Sequence, residues 1–330
     1  MKHFKKLSLL LLASGLSAEQ FSFQMYNDFF AGADQHFTNG IAISWLDDTF
    51  SGSDTAHISV YSNTILELVD YVPFRNIQKS KRYNAGASVS QIIATPINTK
   101  VDYPQYNDIP YAGYLALGIY LFEWTDTNFF ESRMEVGVVG KESGAGLVQN
   151  AFHTIIGNDA AKGWKTQLRT SFVMNALFRH GEITWKSEAN GYDMDWFNHY
   201  GTQIGNFTTD LFAGTMFRIG SNYVKNFNVH YPYLREEATL LQLTKKHKGF
   251  GWSYSIGLNG EALIYSHILD EAKSDGYKTD KKVFNASVYM GVDIFYDAHK
   301  VTYFYQSQSQ YTYQQDNPDT FGGFMYSYTF

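Results

Sequence analysis

The chain has 330 residues, room for one large domain or two, and 26 Lys and Arg against 32 Asp and Glu leave it at −6. That balance speaks against a nucleic-acid partner, and the complete lack of cysteine excludes a disulfide framework and thiol chemistry. Aromatics reach 17%, with 25 Tyr, a composition suited to a boundary between apolar and aqueous phases where such rings keep one end wet.

At the N-terminus Lys2, Lys5 and Lys6 precede the apolar run from Leu9 to Ala13, and Ser14-Gly15-Leu16-Ser17-Ala18 offers small residues for cleavage. This is the layout of a secretory signal peptide, so residues 1–18 are expected to be removed, leaving 19–330 as one exported domain. No other segment approaches the ~18 apolar residues of a membrane helix. If the exported chain spans a membrane, it does so with strands.

Next come Tyr26-Asn27-Asp28-Phe29-Phe30 and Asp34-Gln35-His36-Phe37-Thr38-Asn39-Gly40. Asn27 and Asp28 offer an amide carbonyl and a carboxylate, hard oxygen donors of the type Ca²⁺ prefers, although Asn-Asp is equally a turn. Asn39-Gly40 reads as a turn entering a strand from Ile41 to Trp45. His36 and Thr38 share a face on a strand, and a hydroxyl beside an imidazole permits nucleophilic catalysis in principle.

From Tyr114 to Phe122, Leu115, Leu117, Ile119 and Leu121 alternate with other residues, the dyad of a β-strand. The period then changes. In the run from Gly146 to Ile156, Leu147, Val148, Ala151, Phe152 and Ile155 recur at helical spacing, and Gly144 and Gly157 bracket it. Gln149 and His153, four apart, share a face opposite much of that apolar stripe. A His beside a fixed polar neighbour can act as a general base near neutral pH, and a capping or interfacial His would look the same in sequence.

The dyad returns in three later segments. Trp252, Tyr254, Ile256, Leu258, Ala262 and Ile264 share one face, as do Phe284, Ala286, Val288, Met290, Val292, Ile294 and Tyr296. Val301, Tyr303, Tyr305, Tyr311 and Tyr313 form a third set, after a tight turn at Asp297-Ala298-His299-Lys300. The chain ends with Phe324, Tyr326, Tyr328 and Phe330 on one side of a strand. A soluble protein rarely leaves such a ribbon at its end, whereas a membrane barrel needs one to close its sheet and meet lipid. These patterns predict an all-β fold, a transmembrane antiparallel β-barrel of about 12 strands with one short helix near the candidate site.

Several short motifs occur in a fixed order: Asn27-Asp28-Phe29-Phe30, His36-Phe37-Thr38-Asn39-Gly40, Thr95-Pro96, Pro110-Tyr111-Ala112-Gly113-Tyr114, Val138-Val139-Gly140, Gln149-Asn150-Ala151-Phe152-His153, Ile156-Gly157 and Lys162-Gly163-Trp164. The series, over roughly residues 26–168, resembles the lipid A 3-O-deacylase (LpxR-type) family of outer-membrane enzymes. The resemblance implies a 12-stranded barrel in the bacterial outer membrane. Such a barrel hydrolyses the 3-position ester-linked acyloxyacyl chain of lipid A, the lipopolysaccharide anchor, at the outer leaflet with Ca²⁺. By motif position it implies Asn27, Asp28, Thr38, Gln149 and His153 as catalytic residues. Asp28 is the implied metal ligand with Asp159, six residues beyond the His, and Lys100, in the loop after Thr-Pro, the implied contact to substrate phosphate. The chain departs from the family pattern between Trp45 and Tyr83, where it is longer. It also carries Lys141-Glu142 where Gly-Pro is common, differences that bear on lip geometry.

Two other readings stay open. Thr38 with His36 resembles the His-x-Ser-Asn-Gly pattern of outer-membrane phospholipases with Thr in place of Ser, which leaves Gln149 and His153 without a role. A non-catalytic porin or adhesin would instead have a water-filled lumen.

Overall fold

The computed structural model describes residues 18–31, 37–53, 60–69, 80–224 and 247–330. Most of the expected signal peptide, residues 1–17, lies outside them, and the first strand begins at Ala18.

Twelve antiparallel strands run in chain order: β1 (Ala18–Asn27), β2 (Phe37–Asp47), β3 (Arg82–Ala94), β4 (Ala112–Trp124), β5 (Asn128–Val139), β6 (Ser171–Ala189), β7 (Tyr192–Gly205), β8 (Thr208–Ser221), β9 (Phe250–Ser266), β10 (Phe284–Tyr296), β11 (His299–Gln308) and β12 (Asp319–Thr329). A two-residue strand, Phe50–Ser51, extends the edge of β3. Each strand pairs with its neighbour, and β1 pairs with β12, so the sheet closes into a barrel without a free edge. The terminal aromatics seal this seam: Phe324 pairs with Met25 in register, and its ring lies 6.2 Å from that of Phe23.

The alternation read from sequence sorts lipid from lumen. Along β10 every even residue from Phe284 to Tyr296 is exposed and every odd one is buried. β11 ends earlier than the tyrosine pattern suggests, at Gln308; Tyr311 is buried and Tyr313 exposed in the loop beyond it. The pattern continued past the strand because tyrosine serves a barrel rim as well as its wall.

The lumen is filled by side chains. Arg133, Arg179, Arg218, Tyr120, Phe122, Phe129 and Tyr289, all inward-facing, are fully buried. Arg133 pairs with Glu135 at 3.1 Å, Arg218 with Asp195 at 2.6 Å, Lys300 with Asp293 at 3.0 Å, and Arg179 with Glu131. Desolvated charges are tolerable only when paired in this way. The result is a packed interior crossed by ion pairs.

The tight turns at residues 125–127, 190–191 and 297–298, the start of β1 and the end of β12 lie at one end of the barrel, the short-turn end, where the β2–β3 and β8–β9 connections also leave and re-enter the wall; the connections after β1, β3, β5, β7, β9 and β11 lie at the other. Short turns face the periplasm and long loops the outside in barrels of this kind. The connection between β2 and β3 leaves and re-enters the wall at the short-turn end. Within it α1 (Val60–Val69) packs Ile65 and Leu66 on the outside of the wall against Tyr83, Ala85 and Leu121.

Candidate functional site

Asn27, Asp28, Lys100, Gln149 and His153 all lie at the opposite end of the barrel from the short turns, where β1 ends and the connections after β3 and β5 run. β1 ends at Asn27 and the backbone tightens at once into a 3₁₀ turn, Asp28–Ala31. Tyr303 donates its hydroxyl to the carbonyl of Phe30 at 3.1 Å, and the Phe30 ring meets Phe324 edge-on at 5.7 Å. These contacts pin the turn to the barrel seam. Asn27 and Asp28 are consequently buried at the rim, with Asp28 only 7% exposed.

The Asn39-Gly40 pair is not the turn expected from its sequence. Both residues lie inside β2, opposite Ile93 and Ile92 of β3. Glycine is required at 40 because a Cβ there would overlap the Tyr26 ring; close approach, rather than a reversal of the chain, explains it. The register between β2 and β3 slips between Phe37 and Asn39, making Thr38 the extra residue. Such slips re-aim side chains beside functional sites. The side chain of Thr38 and the whole of His36 lie outside the described residues.

The long loop after β5 rises through a 3₁₀ turn (Lys141–Ser143) into α2 (Ala145–Ile156). It lies on the exterior of the wall. Gln91, facing outward from β3, donates its amide to the Ser143 carbonyl at 2.6 Å. Gly113 lets the turn come this close, since a Cβ there would strike Ser143 and Ala145. Val148 and Ala145 then pack on Ile93, Tyr111, Ala161 and Trp164.

This packing reverses the helix faces expected from periodicity. Gln149, read as part of the polar face, is 1% exposed, whereas the apolar Leu147 and Ile155 are 81% and 82% exposed. The cause is the Lys162-Gly163-Trp164 segment, which no periodicity reveals. Trp164 packs against Tyr111, the rings tilted with centroids 5.1 Å apart, and its indole N–H donates to Gln149 Oε1 at 2.7 Å. Because an indole nitrogen only donates, this bond fixes which end of the amide is oxygen. Gln149 Nε2 therefore points the other way, buried and with no partner.

His153 is half-buried one turn later. Its Nδ1 lies 2.7 Å from the main-chain carbonyl of Asp159. A carbonyl only accepts, so Nδ1 is the donor, which in the neutral ring leaves Nε2 with its lone pair. Asp159 thus contributes its backbone to the site, and its side chain is exposed. The resemblance implies a metal-binding acid at this position; the structure shows its main-chain carbonyl bonded to the imidazole.

Lys100 is exposed in the loop between β3 and β4, its N–H bonded to Asn98 Oδ1 at 3.1 Å. The neighbouring carbonyl of Thr99 accepts from the Lys162 N–H at 2.9 Å and from the Tyr111 hydroxyl at 3.2 Å. Burial pushes the Tyr111 phenol up from its ordinary pKa, so it stays a donor. Lys162, unremarked in the sequence as a site residue, is exposed beside Lys100. Its basic character was visible, but only the cross-loop hydrogen bond reveals the pairing.

For a divalent cation, Asn27 and Asp28 supply a buried amide and carboxylate, hard-oxygen donors of the type Ca²⁺ prefers. Among the described residues no three His, Asp or Glu side chains gather as a metal cluster, and the Asp159 carboxylate is exposed rather than buried with Asp28.

A family model described as the outer membrane protein LpxR matches residues 6–330. The chain belongs to the LpxR family. Among solved structures, LpxR from Salmonella typhimurium superimposes with a TM-score of 0.73 at 15% identity, covering 94% of this chain and 100% of that one. The β domain of the Bordetella autotransporter BrkA reaches a TM-score of 0.47 at 10% identity, covering 95% and 100% respectively. No curated protein sequence matches the chain. Family and fold together make this LpxR-family chain an outer-membrane protein with a closed, 12-stranded antiparallel barrel.

Proposed function

We propose that this protein is a Ca²⁺-dependent lipid A 3-O-deacylase, hydrolysing the ester that carries the 3-position acyloxyacyl chain. The observation that carries the reading is a His153 whose tautomer is fixed with Nε2 as acceptor, next to a Gln149 whose buried Nε2–H donor has no partner. A general base and an amide donor with spare hydrogen-bonding capacity one helical turn apart suit ester hydrolysis by water.

In this reading His153 Nε2 takes a proton from a water as its oxygen bonds to the ester carbonyl carbon. The carbonyl oxygen gains negative charge, and Gln149 Nε2–H donates to it. When the carbon–oxygen bond to the sugar breaks, the imidazolium returns the proton to the departing sugar oxygen. The acid and a free 3-hydroxyl result. Asn27 and Asp28 would hold Ca²⁺, which would supply further stabilisation of developing negative charge as a Lewis acid. Lys100 and Lys162, exposed on two hydrogen-bonded loops, would meet the phosphate of the head group.

The packed lumen, crossed by buried ion pairs, supports an enzyme over a porin. The deciding experiment is the lipid A mass spectrum from cells expressing the chain in a host without such activity. A loss equal to one acyloxyacyl unit is expected, reversed by His153→Ala or Asp28→Ala while the barrel still assembles. An unchanged lipid A with altered glycerophospholipids would instead favour a phospholipase.

A further inference from the structure

The exposed face of α2 has a specific occupant written into its position. Leu147, Ala151 and Ile155 recur at intervals of four and are all exposed, so they form one apolar stripe pointing away from the wall. Val148, by contrast, packs toward Ile93. Two exterior helices thereby bracket the same pair of strands. α1 covers Ala85 and Leu121 near one end of β3 and β4, and α2 covers Ile93 near the other. From Ala85 to Ile93 the strand climbs about 26 Å, or about 20 Å along the membrane normal at a barrel's usual tilt. That nearly matches the ~25 Å apolar band of outer-membrane barrels. Leu117, Met134 and Val136 are exposed on the intervening wall, as lipid-facing residues should be.

We propose that the Leu147–Ala151–Ile155 face of α2 lies in the acyl chains of the outer leaflet, so that the helix bearing Gln149 and His153 is a membrane-inserted platform. Water would leave two large aliphatic side chains almost fully exposed on a short helix. Hydrocarbon continuous with the Leu117–Met134–Val136 wall covers them. An interfacial helix sinks its apolar face about 5–10 Å into the headgroup boundary. Substrate chains would then reach the site sideways from the leaflet.

The absence of cysteine in this chain makes the test direct. Single variants L147C and I155C, with L117C as a lipid reference and K100C as an aqueous one, are nitroxide-labelled in the full chain. After reconstitution in vesicles of phospholipid and lipopolysaccharide, each label's collisions with oxygen and with a water-soluble nickel chelate are compared. At 147 and 155 the oxygen-to-nickel ratio should approach that at 117 and exceed that at 100 by about fivefold or more, as expected for a face below the headgroups. A ratio equal to that at Lys100→Cys overturns the proposal, and exclusion of both reagents also does so by indicating a protein partner such as a second copy. This readout needs no turnover, so it stands or falls separately from the deacylase reading.

A second arm, which rests on that reading, uses Leu147→Asp with Ile155→Asp. Turnover of substrate in vesicles should fall about tenfold, while that of a soluble short-chain ester should change less than twofold, because only membrane seating is impaired. Unchanged vesicle turnover overturns the claim that the seating serves catalysis.

Discussion

Trp164→Phe isolates a single hydrogen bond at the candidate site. The phenyl ring keeps most of the packing against Tyr111 but cannot donate to Gln149 Oε1. Gln149 is buried, so its carbonyl loses its partner without gaining water, an imbalance of about 1–3 kcal/mol. The fixed amide orientation is then lost, and the Nε2 donor faces the ester only part of the time. At about 1.4 kcal/mol per factor of ten, kcat should fall about tenfold, with KM within about twofold because the donor acts on the developing oxyanion. Gln149→Ala should cost more, about 10²–10³, the usual loss for one oxyanion donor. Steady-state deacylation of purified lipid A by the four members of the double-mutant cycle provides the assay. If the indole acts through the amide, Trp164→Phe adds nothing in the Gln149→Ala background. Full additivity, or an unchanged kcat in Trp164→Phe alone, refutes the argument. A fully active Gln149→Ala would instead remove the amide from the mechanism.

Other outcomes follow from the same geometry. Chelation of Ca²⁺ by EGTA should abolish deacylation, and Mg²⁺ should restore it poorly, because its near-ideal octahedral shell and retained waters suit this site less; full activity in EGTA would remove the metal. Gly40→Val should prevent assembly of the folded, heat-modifiable form seen on gels, since its side chain would overlap Tyr26 between β1 and β2. Arg179→Met strands the Glu131 carboxylate in the lumen and should destabilise the barrel by about 3–5 kcal/mol in urea unfolding, with smaller losses if the carboxylate becomes protonated. In planar bilayers the protein should give no steady single-channel conductance. Open-pore steps would contradict the packed interior.

Much of the architecture was legible in the chain. Strand alternation depends on side chains two apart facing the same solvent, and lipid outside with ion pairs inside keeps that contrast strong, as β10 shows residue by residue. Bracketing by Gly144 and Gly157 likewise located α2 to within a residue of each end. Legibility failed where contacts came from distant segments. Asn39-Gly40 has the composition of a turn, yet the Tyr26 ring beside it makes glycine a packing requirement within a strand. The β11 tyrosines continue past the strand because wall and rim favour the same residue type.

By itself the sequence determined that this is a strand-built outer-membrane barrel and which polar residues recur in the family's motifs, because alternation and short motifs are local properties of the chain. Only the tertiary structure decided which face of α2 is buried, since that choice belongs to Trp164, Tyr111 and the wall at Ile93 rather than to the helix's own periodicity. It also decided that Nδ1 of His153 meets the main-chain carbonyl of Asp159. Hydrogen-bond direction depends on which atoms meet in space, and a one-dimensional pattern carries no record of that.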